Sequence, residues 1–132
     1  FIKKQNKIKK QNKIYVEAIR MIYIISIIQP SKLEQVHESL KSAGILGMTV
    51  SEVQGYGKQM GKNETYRGAE YTVNFVPKTK IEVAVDDDAL EAAVSAIKSA
   101  AETGRIGDGK IFTFDLNDAM RIRTGETGSG AL

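Results

Sequence analysis

The sequence alternates between two kinds of periodicity, in an order that repeats once along the chain. Short apolar or alternating runs have the period of two that indicates strands, and two segments between them have the period of 3.6 that indicates helices. The six segments are, in chain order, IYIISII (22–28), SKLEQVHESLKSAG (31–44), MTVSEVQGYG (48–57), EYTVNFVPKTKIEVAV (70–85), DDDALEAAVSAIKSAAETG (86–104) and KIFTFDL (110–116). Two strand–helix–strand units predict an α+β, ferredoxin-like domain, a double βαβ with both helices on one face of an antiparallel sheet.

Both predicted helices carry signals for where they begin and end. In the first, Ser31 is an N-cap residue, Glu34 completes a capping box, and Gly44 marks the C-terminal end. The second begins with acidic residues, which suit the positive end of a helix dipole, and ends at Gly104. Residues 58–69 show no apolar periodicity, so we interpret them as a long, polar, exposed loop.

Basic charge is concentrated in the first 20 residues. This segment contains seven of the 19 Lys and Arg residues and one of the 16 Asp and Glu residues, which gives it about +6 and the remainder about −3. It also contains the hexapeptide IKKQNK twice, at 2–7 and 8–13. We therefore separate a basic, low-complexity leader (1–20), expected to be disordered or vector-derived, from a domain at 21–132. The alternative is a basic arm that contacts acidic lipid or nucleic acid.

Composition narrows the chemistry that the domain can perform. The chain has no Cys and one His, His37, which excludes disulfides, thiolate chemistry and a histidine metal cluster within one chain. The apolar stretch near Met21 is interrupted by charge and too short to span a bilayer, so a cytoplasmic location is expected. Because no nucleophile is paired with an adjacent base, we predict that the protein is not an enzyme.

The segment TGRIGDGKIF (103–112) has the spacing of a phosphate-binding P-loop in Gly104, Gly109 and Lys110. That motif requires Ser or Thr after the Lys, a strand before the loop and a helix after it. Here Ile111 follows the Lys and the predicted order is helix, turn, strand, so the segment is not a P-loop. Two interpretations stay open: a tight turn that uses glycine for geometry, or a turn that binds an anion through backbone N–H groups and Lys110.

The segment RIRTG (121–125) bears on this choice. If residues 119–123 are extended, Arg121 and Arg123 project from the same side, and two neighbouring guanidinium groups suit a polyphosphate. An RNA-recognition domain shares the predicted topology, but neither EYTVNFV nor KIFTFDL carries the aromatic and glycine pattern of its third strand. We therefore expect no nucleic-acid partner for the domain.

Four segments together closely resemble the PII nitrogen-regulatory signalling proteins. They are GMTVSEVQGYGKQ, TYRGAEYTVNF, TGRIGDGKIF and RIRTGE, in this order and at this spacing within residues 21–132. The resemblance implies a homotrimer with nucleotide sites in the clefts between subunits, where ATP and ADP compete. It also implies that 2-oxoglutarate joins ATP through a bridging magnesium ion, and that a long T-loop, about 57–74, contacts target proteins.

The resemblance assigns the nucleotide site to several parts of the chain. Thr49 and Glu82 correspond to positions near the base and ribose, and Arg121 and Arg123 to a pair that reaches the nucleotide from the adjoining subunit. The full implied set is Thr49, Gly57, Lys58, Glu82, Gly107, Asp108, Gly109, Lys110, Arg121 and Arg123.

The resemblance also implies the effector ligands and a modification site. Gln59 and Lys78 correspond to residues that bind 2-oxoglutarate, and Gln59 also to the magnesium ligand. A neutral oxygen donor suits a hard cation that already holds polyphosphate and a dicarboxylate. Tyr71 stands at the position that is uridylylated or adenylylated in the family.

The chain departs from the family pattern at three positions. Gln29 stands where Lys or Arg is usual, Lys58 where Arg is usual, and Met60 where Lys is usual. Each change removes a charge or a bidentate donor near the anions, so we expect weaker 2-oxoglutarate affinity or a changed T-loop conformation.

The resemblance thus predicts a signal transducer that binds ATP or ADP and 2-oxoglutarate and regulates nitrogen metabolism or ammonium transport through its T-loop. Its expected partners are an ammonium channel, nitrogen-assimilation enzymes and a nucleotidyltransferase, with recruitment to the inner face of the membrane through the channel. Slow ATP hydrolysis would be incidental. The alternatives are a divergent adenine-nucleotide sensor with another small anion, such as bicarbonate, or a small nucleotide-dependent enzyme.

Overall fold

A computed structural model of the chain describes residues 20–56, 63–66, 69–72 and 75–132, with the side chains of 20–56 and 75–132. Its strands are β1 (Met21–Ile28), β2 (Thr49–Gly55), β3 (Asn63–Tyr66), β4 (Ala69–Thr72), β5 (Val76–Asp86) and β6 (Gly109–Leu116). Its α-helices are α1 (Leu33–Ser42) and α2 (Leu90–Ala101), with short 3-10 segments at Pro30–Lys32, Asp87–Ala89 and Gly128–Ala131.

Four strands form one sheet in the order β2-β5-β1-β6, and each neighbouring pair is antiparallel. At the centre of the sheet, Ile24 of β1 lies opposite Val83 of β5 and Thr113 of β6. One helix follows β1 and the other follows β5, so each helix connects two strands that are not sequential neighbours in the sheet. This arrangement is the ferredoxin-like double βαβ, and it confirms the predicted fold class.

The two helices cover one face of the sheet. Every second residue of β1 is buried beneath them, as the alternation of side chains along a strand requires. The core on this covered face comprises Ile22, Ile24, Ile28, Val36, Leu40, Ile81, Val83, Val85, Ala93, Ile97 and Ala101. Helix α1 contributes to it through Val36 and Leu40, which are four residues apart and therefore share one face of the helix.

The opposite face of the sheet has no covering element among the described residues, and we call it the bare face. The strand register places Tyr23, Ile25 and Ile27 of β1 on it, beside alternate residues of β5 and β6. Phe112 and Phe114 of β6 are 49% and 48% exposed there. The C-terminal end of β1 meets the start of β6 at one edge of the sheet, and the candidate functional site lies at this point.

Of the two predicted ends of the first helix, the C-terminal end is confirmed and the N-terminal end is wrong. Gly44 adopts a φ of +84°, and Ile45 N–H bonds to the Leu40 carbonyl at 3.0 Å, so the C-terminal stop is confirmed. The capping box that begins at Ser31 is wrong, because no side-chain hydrogen bond caps either helical segment there. Pro30, with its fixed φ, begins a 3-10 turn, and Ser31 therefore lies inside a helical turn instead of preceding one.

The interpretation of 58–69 as a long, polar, exposed loop did not include a strand, and the structure has one there. Strands β3 and β4 pair as an antiparallel ribbon, from Asn63 opposite Thr72 to Tyr66 opposite Ala69. The predicted single strand 70–85 is therefore divided between this ribbon and β5. The alternation in sequence continues through both strands, which is why they were interpreted as one.

The segment RIRTG is not extended. Arg121 N–H bonds to the Glu126 carbonyl at 2.8 Å and Gly125 N–H bonds to the Arg121 carbonyl at 2.8 Å, which closes a tight turn. Gly125 permits this turn with a φ of +73°. Within the part of the chain that the structure describes, no helix is long and apolar enough to cross a membrane.

Candidate functional site

Residues 102–108 join α2 to β6, and we call this segment the α2–β6 turn. Gly104 and Gly107 within it, and Gly109 directly after it, have φ values of 82°, 103° and 104°, which other residues rarely adopt. A Cβ atom at Gly109 would lie 1.7 Å from the carbonyl oxygen of Ile27. Glycine is therefore required at 109 both by its backbone angle and by the close approach of β6 to β1.

The carboxylate of Asp108 closes this turn on itself. One oxygen accepts the hydroxyl of Thr103 at 2.5 Å, and the other accepts the backbone N–H groups of Thr103 at 2.7 Å and Gly104 at 2.9 Å. The Thr103 hydroxyl and then the Thr103 N–H hold the pKa of Asp108 below its usual value, because hydrogen bonds to a carboxylate favour its charged form. The two ends of the turn are thus tied together through one side chain.

Two further side chains reach the turn from the sheet. Lys78 of β5 donates from Nζ to the Gly107 carbonyl at 2.6 Å, and this lysine is only 9% exposed. Gln29, at the end of β1, donates from Nε2 to Asp108 at 3.5 Å. The turn is consequently held by its own carboxylate, by β5 and by the end of β1.

Two backbone N–H groups of the α2–β6 turn lie between these anchors. Among the described residues, no protein acceptor bonds to the N–H groups of Ile106 and Gly107. Lys110 is exposed at the start of β6 and, with Asp108 and Gly109, lines a shallow pocket of about 220 Å³. Backbone N–H groups without a protein acceptor in such a turn can bind an oxyanion.

Thr49 and Glu82 are cross-strand partners on β2 and β5. The Glu82 carboxylate accepts the hydroxyl of Tyr23 at 3.2 Å and lies 3.8 Å from Nζ of Lys80. Burial raises the pKa of Tyr23, and the hydrogen bond to Glu82 and the charge of Glu82 raise it further. Glu82 is therefore fixed within the bare face, next to Thr49 on the edge strand.

Arg121 and Arg123 are not brought to the α2–β6 turn in the single chain. Arg121 donates to the Leu132 carbonyl at 3.2 Å and lies 3.9 Å from the Glu126 carboxylate. Arg123 is exposed within the tight turn at 122–124. Across 75–132, neither guanidinium makes a polar contact with the α2–β6 turn.

The remaining implied site residues fall outside the described side chains. Gly57, Lys58 and Gln59 lie outside the described residues altogether. Of Tyr71 the structure describes only the backbone, opposite Glu64 in the β3–β4 ribbon. The part of the chain that is described contains no group of three or more His, Cys, Asp or Glu side chains placed to hold a metal ion.

The sequence interpretation missed two contacts of this site. Thr103 was not assigned a role, although a Thr and an Asp on either side of a glycine-containing turn are typical of side-chain closure of a turn. The contact of Lys78 with Gly107 spans 29 residues and has no local signal. The sequence identified the turn and Lys78 separately, and the sheet brings them together.

Comparison with known proteins identifies relatives over most of the chain. The family model for nitrogen regulatory protein P-II matches residues 21–126. Nitrogen regulatory protein P-II of Mesorhizobium japonicum is 57% identical over 109 residues, which are 83% of this chain and 97% of that protein. Nitrogen regulatory protein GlnK of Escherichia coli is 54% identical over 112 residues, 85% of this chain and 100% of that protein.

A solved structure agrees with these sequence relatives. The crystal structure of Arabidopsis thaliana PII bound to citrate aligns with a TM-score of 0.71 and 36% identity, over 89% of this chain and 97% of that one. The relatives are named as regulators, so this chain is a regulatory protein and not an enzyme. By the family model, the identity and the shared fold, the chain belongs to the nitrogen regulatory protein P-II family.

Proposed function

We propose that this P-II protein transduces signals of energy and nitrogen status by binding ATP or ADP at the α2–β6 turn and 2-oxoglutarate beside it. The proposal rests on two observations of that turn. Asp108 and Lys78 hold its ends in place. The N–H groups of Ile106 and Gly107 between them have no acceptor among the described residues. Fixed donors of this kind suit the phosphate groups of a nucleotide. Lys110, the second residue of β6, adds a positive charge just after the turn.

The effector site is proposed at Lys78 and Gln59. A largely buried ammonium group suits a carboxylate, because charge-assisted hydrogen bonds are strongest where water is excluded. Since Lys78 also holds the Gly107 carbonyl, a carboxylate at Lys78 would alter the support of the nucleotide turn. Coupling of this kind is reciprocal, so each ligand changes the affinity of the other by the same factor.

Magnesium belongs to the proposal through Gln59, whose neutral side-chain oxygen is a donor that suits a hard cation. When bound, the ion would screen the charges of the ATP phosphates and the effector carboxylates from one another. The contribution of the described residues is to orient the anions, through the fixed turn and Lys78.

A homotrimer is proposed from the bare face. Its apolar residues include Ile25, Ile27 and the half-exposed Phe112 and Phe114, and exposed apolar surface of this kind marks an interface. In a trimer, Arg121 and Arg123 of one subunit would reach the nucleotide held by the next. The alternative to a shared site is that both arginines remain solvated on the surface.

The proposed targets are those of nitrogen regulation. The T-loop, which includes the β3–β4 ribbon, would dock on an ammonium channel or on nitrogen-assimilation enzymes, and a nucleotidyltransferase would modify Tyr71. The chain would act in the cytoplasm and at the inner face of the membrane. A loop bordered by both ligand sites can change shape with their occupancy.

Titration calorimetry tests the ligands. ATP and ADP, each with magnesium, are titrated with and without 2-oxoglutarate, and 2-oxoglutarate should bind only alongside ATP. Lys110→Met should raise the Kd for ATP by about ten-fold or more, since a charged hydrogen bond contributes roughly 1.5–3 kcal/mol. Lys41→Met, which removes an exposed lysine from the last turn of α1, is the matched control and should leave the Kd unchanged.

Citrate and bicarbonate are titrated in parallel as alternative effectors. The citrate in the related plant structure favours including a second polycarboxylate in the test. If nucleotide binds and 2-oxoglutarate does not, the chain is an adenine-nucleotide sensor with another small anion, and Gln29, Lys58 and Met60 are the first residues to revert. If no nucleotide binds, the proposed function is wrong.

A further inference from the structure

We propose that Asp108 is a positioning residue of the nucleotide site, which fixes the phosphate-binding backbone of the α2–β6 turn without touching the nucleotide itself. The inference rests on the proposed function and assigns a different role to Asp108 from direct nucleotide contact. It concerns three residues of the turn, Thr103, Gly104 and Asp108, together with Gln29 at the end of β1.

The hydrogen bonds of the Asp108 carboxylate are already used inside the protein. Oδ1 accepts the Thr103 hydroxyl at 2.5 Å and faces Nε2 of Gln29 at 3.5 Å, while Oδ2 accepts the N–H groups of Thr103 and Gly104 at 2.7 and 2.9 Å. An ionised carboxylate has about four acceptor positions, so these donors account for its capacity. A carboxylate has no donor to offer a phosphate and would repel it, so direct contact is disfavoured.

What Asp108 fixes is the stretch of backbone between its partners. Thr103 and Gly104 lie two and three residues after the C-terminal end of α2, and Asp108 directly precedes β6, so the carboxylate connects two rigid elements. Arg105 N–H is held in addition by the Thr103 hydroxyl at 3.2 Å. The N–H groups of Ile106 and Gly107, which have no acceptor in the described part of the chain, lie between these fixed points, so phosphate binding does not have to order the turn.

Lys78 complements this arrangement from the other side of the turn. It holds the Gly107 carbonyl at 2.6 Å, one residue before Asp108, and so fixes the orientation of that peptide group. Asp108 and Lys78 therefore restrain peptide groups at opposite ends of the turn through separate contacts. Loss of Asp108 should free the start of the turn and leave the contact of Lys78 with Gly107 in place.

The first experiment compares ATP with AMP in the full chain. Removal of the tie by Asp108→Ala should raise the Kd for ATP about ten-fold, because a flexible turn must be ordered on binding. AMP lacks the β- and γ-phosphates, so its Kd should change by less than about two-fold if the turn binds the outer phosphates. Asp108→Asn, whose amide oxygen can still accept the two N–H groups, should retain most of the ATP affinity.

Asp88→Ala is the matched control for charge. Asp88 is an exposed residue in the 3-10 segment before α2, at the far end of that helix from the turn, and its loss makes the same change in net charge. The Kd for ATP should be unchanged in this variant. Hydrogen exchange of the Thr103 and Gly104 amides should accelerate in Asp108→Ala and stay unchanged in Asp88→Ala.

A double-mutant cycle with Thr103→Val separates positioning from direct contact. If Asp108 acts through the turn, Asp108→Ala should cost less ATP affinity in the Thr103→Val background than in the wild type, because one of the hydrogen bonds that Asp108 makes, the bond to the Thr103 hydroxyl, is already lost there. Full additivity would overturn the proposal, and so would unchanged ATP affinity in Asp108→Ala or an equal loss for ATP and AMP. If the wild-type protein binds no ATP, the proposed function itself is wrong.

Discussion

The two faces of the four-stranded sheet are formed by alternate residues of the same strands, yet their environments are opposite. On the covered face, Ile24 of β1 and Ile81 of β5 are 0% exposed beneath the helices. On the bare face, Phe112 and Phe114 are 49% and 48% exposed, although they are also apolar and are the larger side chains. Apolar character therefore does not distinguish the faces, and the presence of the helices does.

This difference separates what one chain completes by itself from what needs a second surface. The apolar run of β1 supplies Ile24 and Ile28 to the covered face and Ile25 and Ile27 to the bare face. Strands that are apolar on both sides are typical of sheets buried on both faces. The covered face should thus govern the stability of the subunit, and the bare face should govern assembly.

The largest effect is expected from truncation on the covered face. Ile97 of α2 is 0% exposed, so Ile97→Ala should lower the free energy of unfolding by about 2–5 kcal/mol through lost burial and a cavity. Ile122→Ala makes the same change at a side chain that is 98% exposed and should have an effect within about 0.5 kcal/mol. Urea unfolding at one fixed protein concentration measures both, and equal losses would contradict the distinction.

A smaller and different effect is expected on the bare face. Phe112→Ala should weaken subunit association by about 1–2 kcal/mol per contact if the face is an interface. It should change subunit unfolding less than Ile97→Ala does, because Phe112 is already half exposed. Light scattering across a dilution series gives the mass of the particle, with Leu46→Ala, at a side chain that is 81% exposed, as the control. An unchanged mass at every concentration would exclude the bare face as the subunit interface.

The regular elements could be predicted from the sequence because their signals are local. The β-branched run of β1, the apolar stripe of α2 and the stop at Gly44 each depend on neighbouring residues, and the structure has all three. The β3–β4 ribbon could not be predicted in the same way. Strand β3 is four residues long and largely polar, so it carries too little alternation to indicate a strand, whereas the alternation of β4 continues into β5 and does not indicate the break between them.

The candidate site was predictable only in pieces. Glycine spacing and Lys110 identified the α2–β6 turn, but the tie between Thr103 and Asp108 and the contact of Lys78 with Gly107 depend on how the chain folds back. The extended interpretation of RIRTG failed because two backbone hydrogen bonds and Gly125 favour a closed turn there. Which residues face a ligand is thus set by tertiary contacts that no local pattern encodes.

Two polar side chains, Ser26 and Thr79, are buried on the covered face within the described part of the chain, and Ser26 gives the next prediction. Its side chain is 0% exposed, and its hydroxyl has no hydrogen-bond partner within the described part of the chain. Ser26→Ala should therefore raise the free energy of unfolding by about 1 kcal/mol, since a desolvated hydroxyl without a partner costs stability. Ser39→Ala is the contrasting variant, because the Ser39 hydroxyl donates to the Ala96 carbonyl at 2.8 Å and its loss should destabilise. Thermal unfolding measures the stability of both variants. A destabilised Ser26→Ala would contradict the conclusion that the buried Ser26 hydroxyl costs stability.

The smallest effect concerns a charge on the bare face. Burial and Glu82 raise the pKa of Tyr23 above its usual 10.0, so the associated stability is fully present below pH 10.0 and is lost as the pH rises through the folded-state pKa. Glu82→Gln should lower the pKa of Tyr23 only in part, because burial is the larger cause. NMR titration of the Tyr23 ring carbon bonded to oxygen measures this, with Glu52→Gln on exposed β2 as the control. If Glu82→Gln left the Tyr23 pKa unchanged, burial alone would account for the raised pKa of Tyr23. Glu82 would then be free to turn toward a ligand.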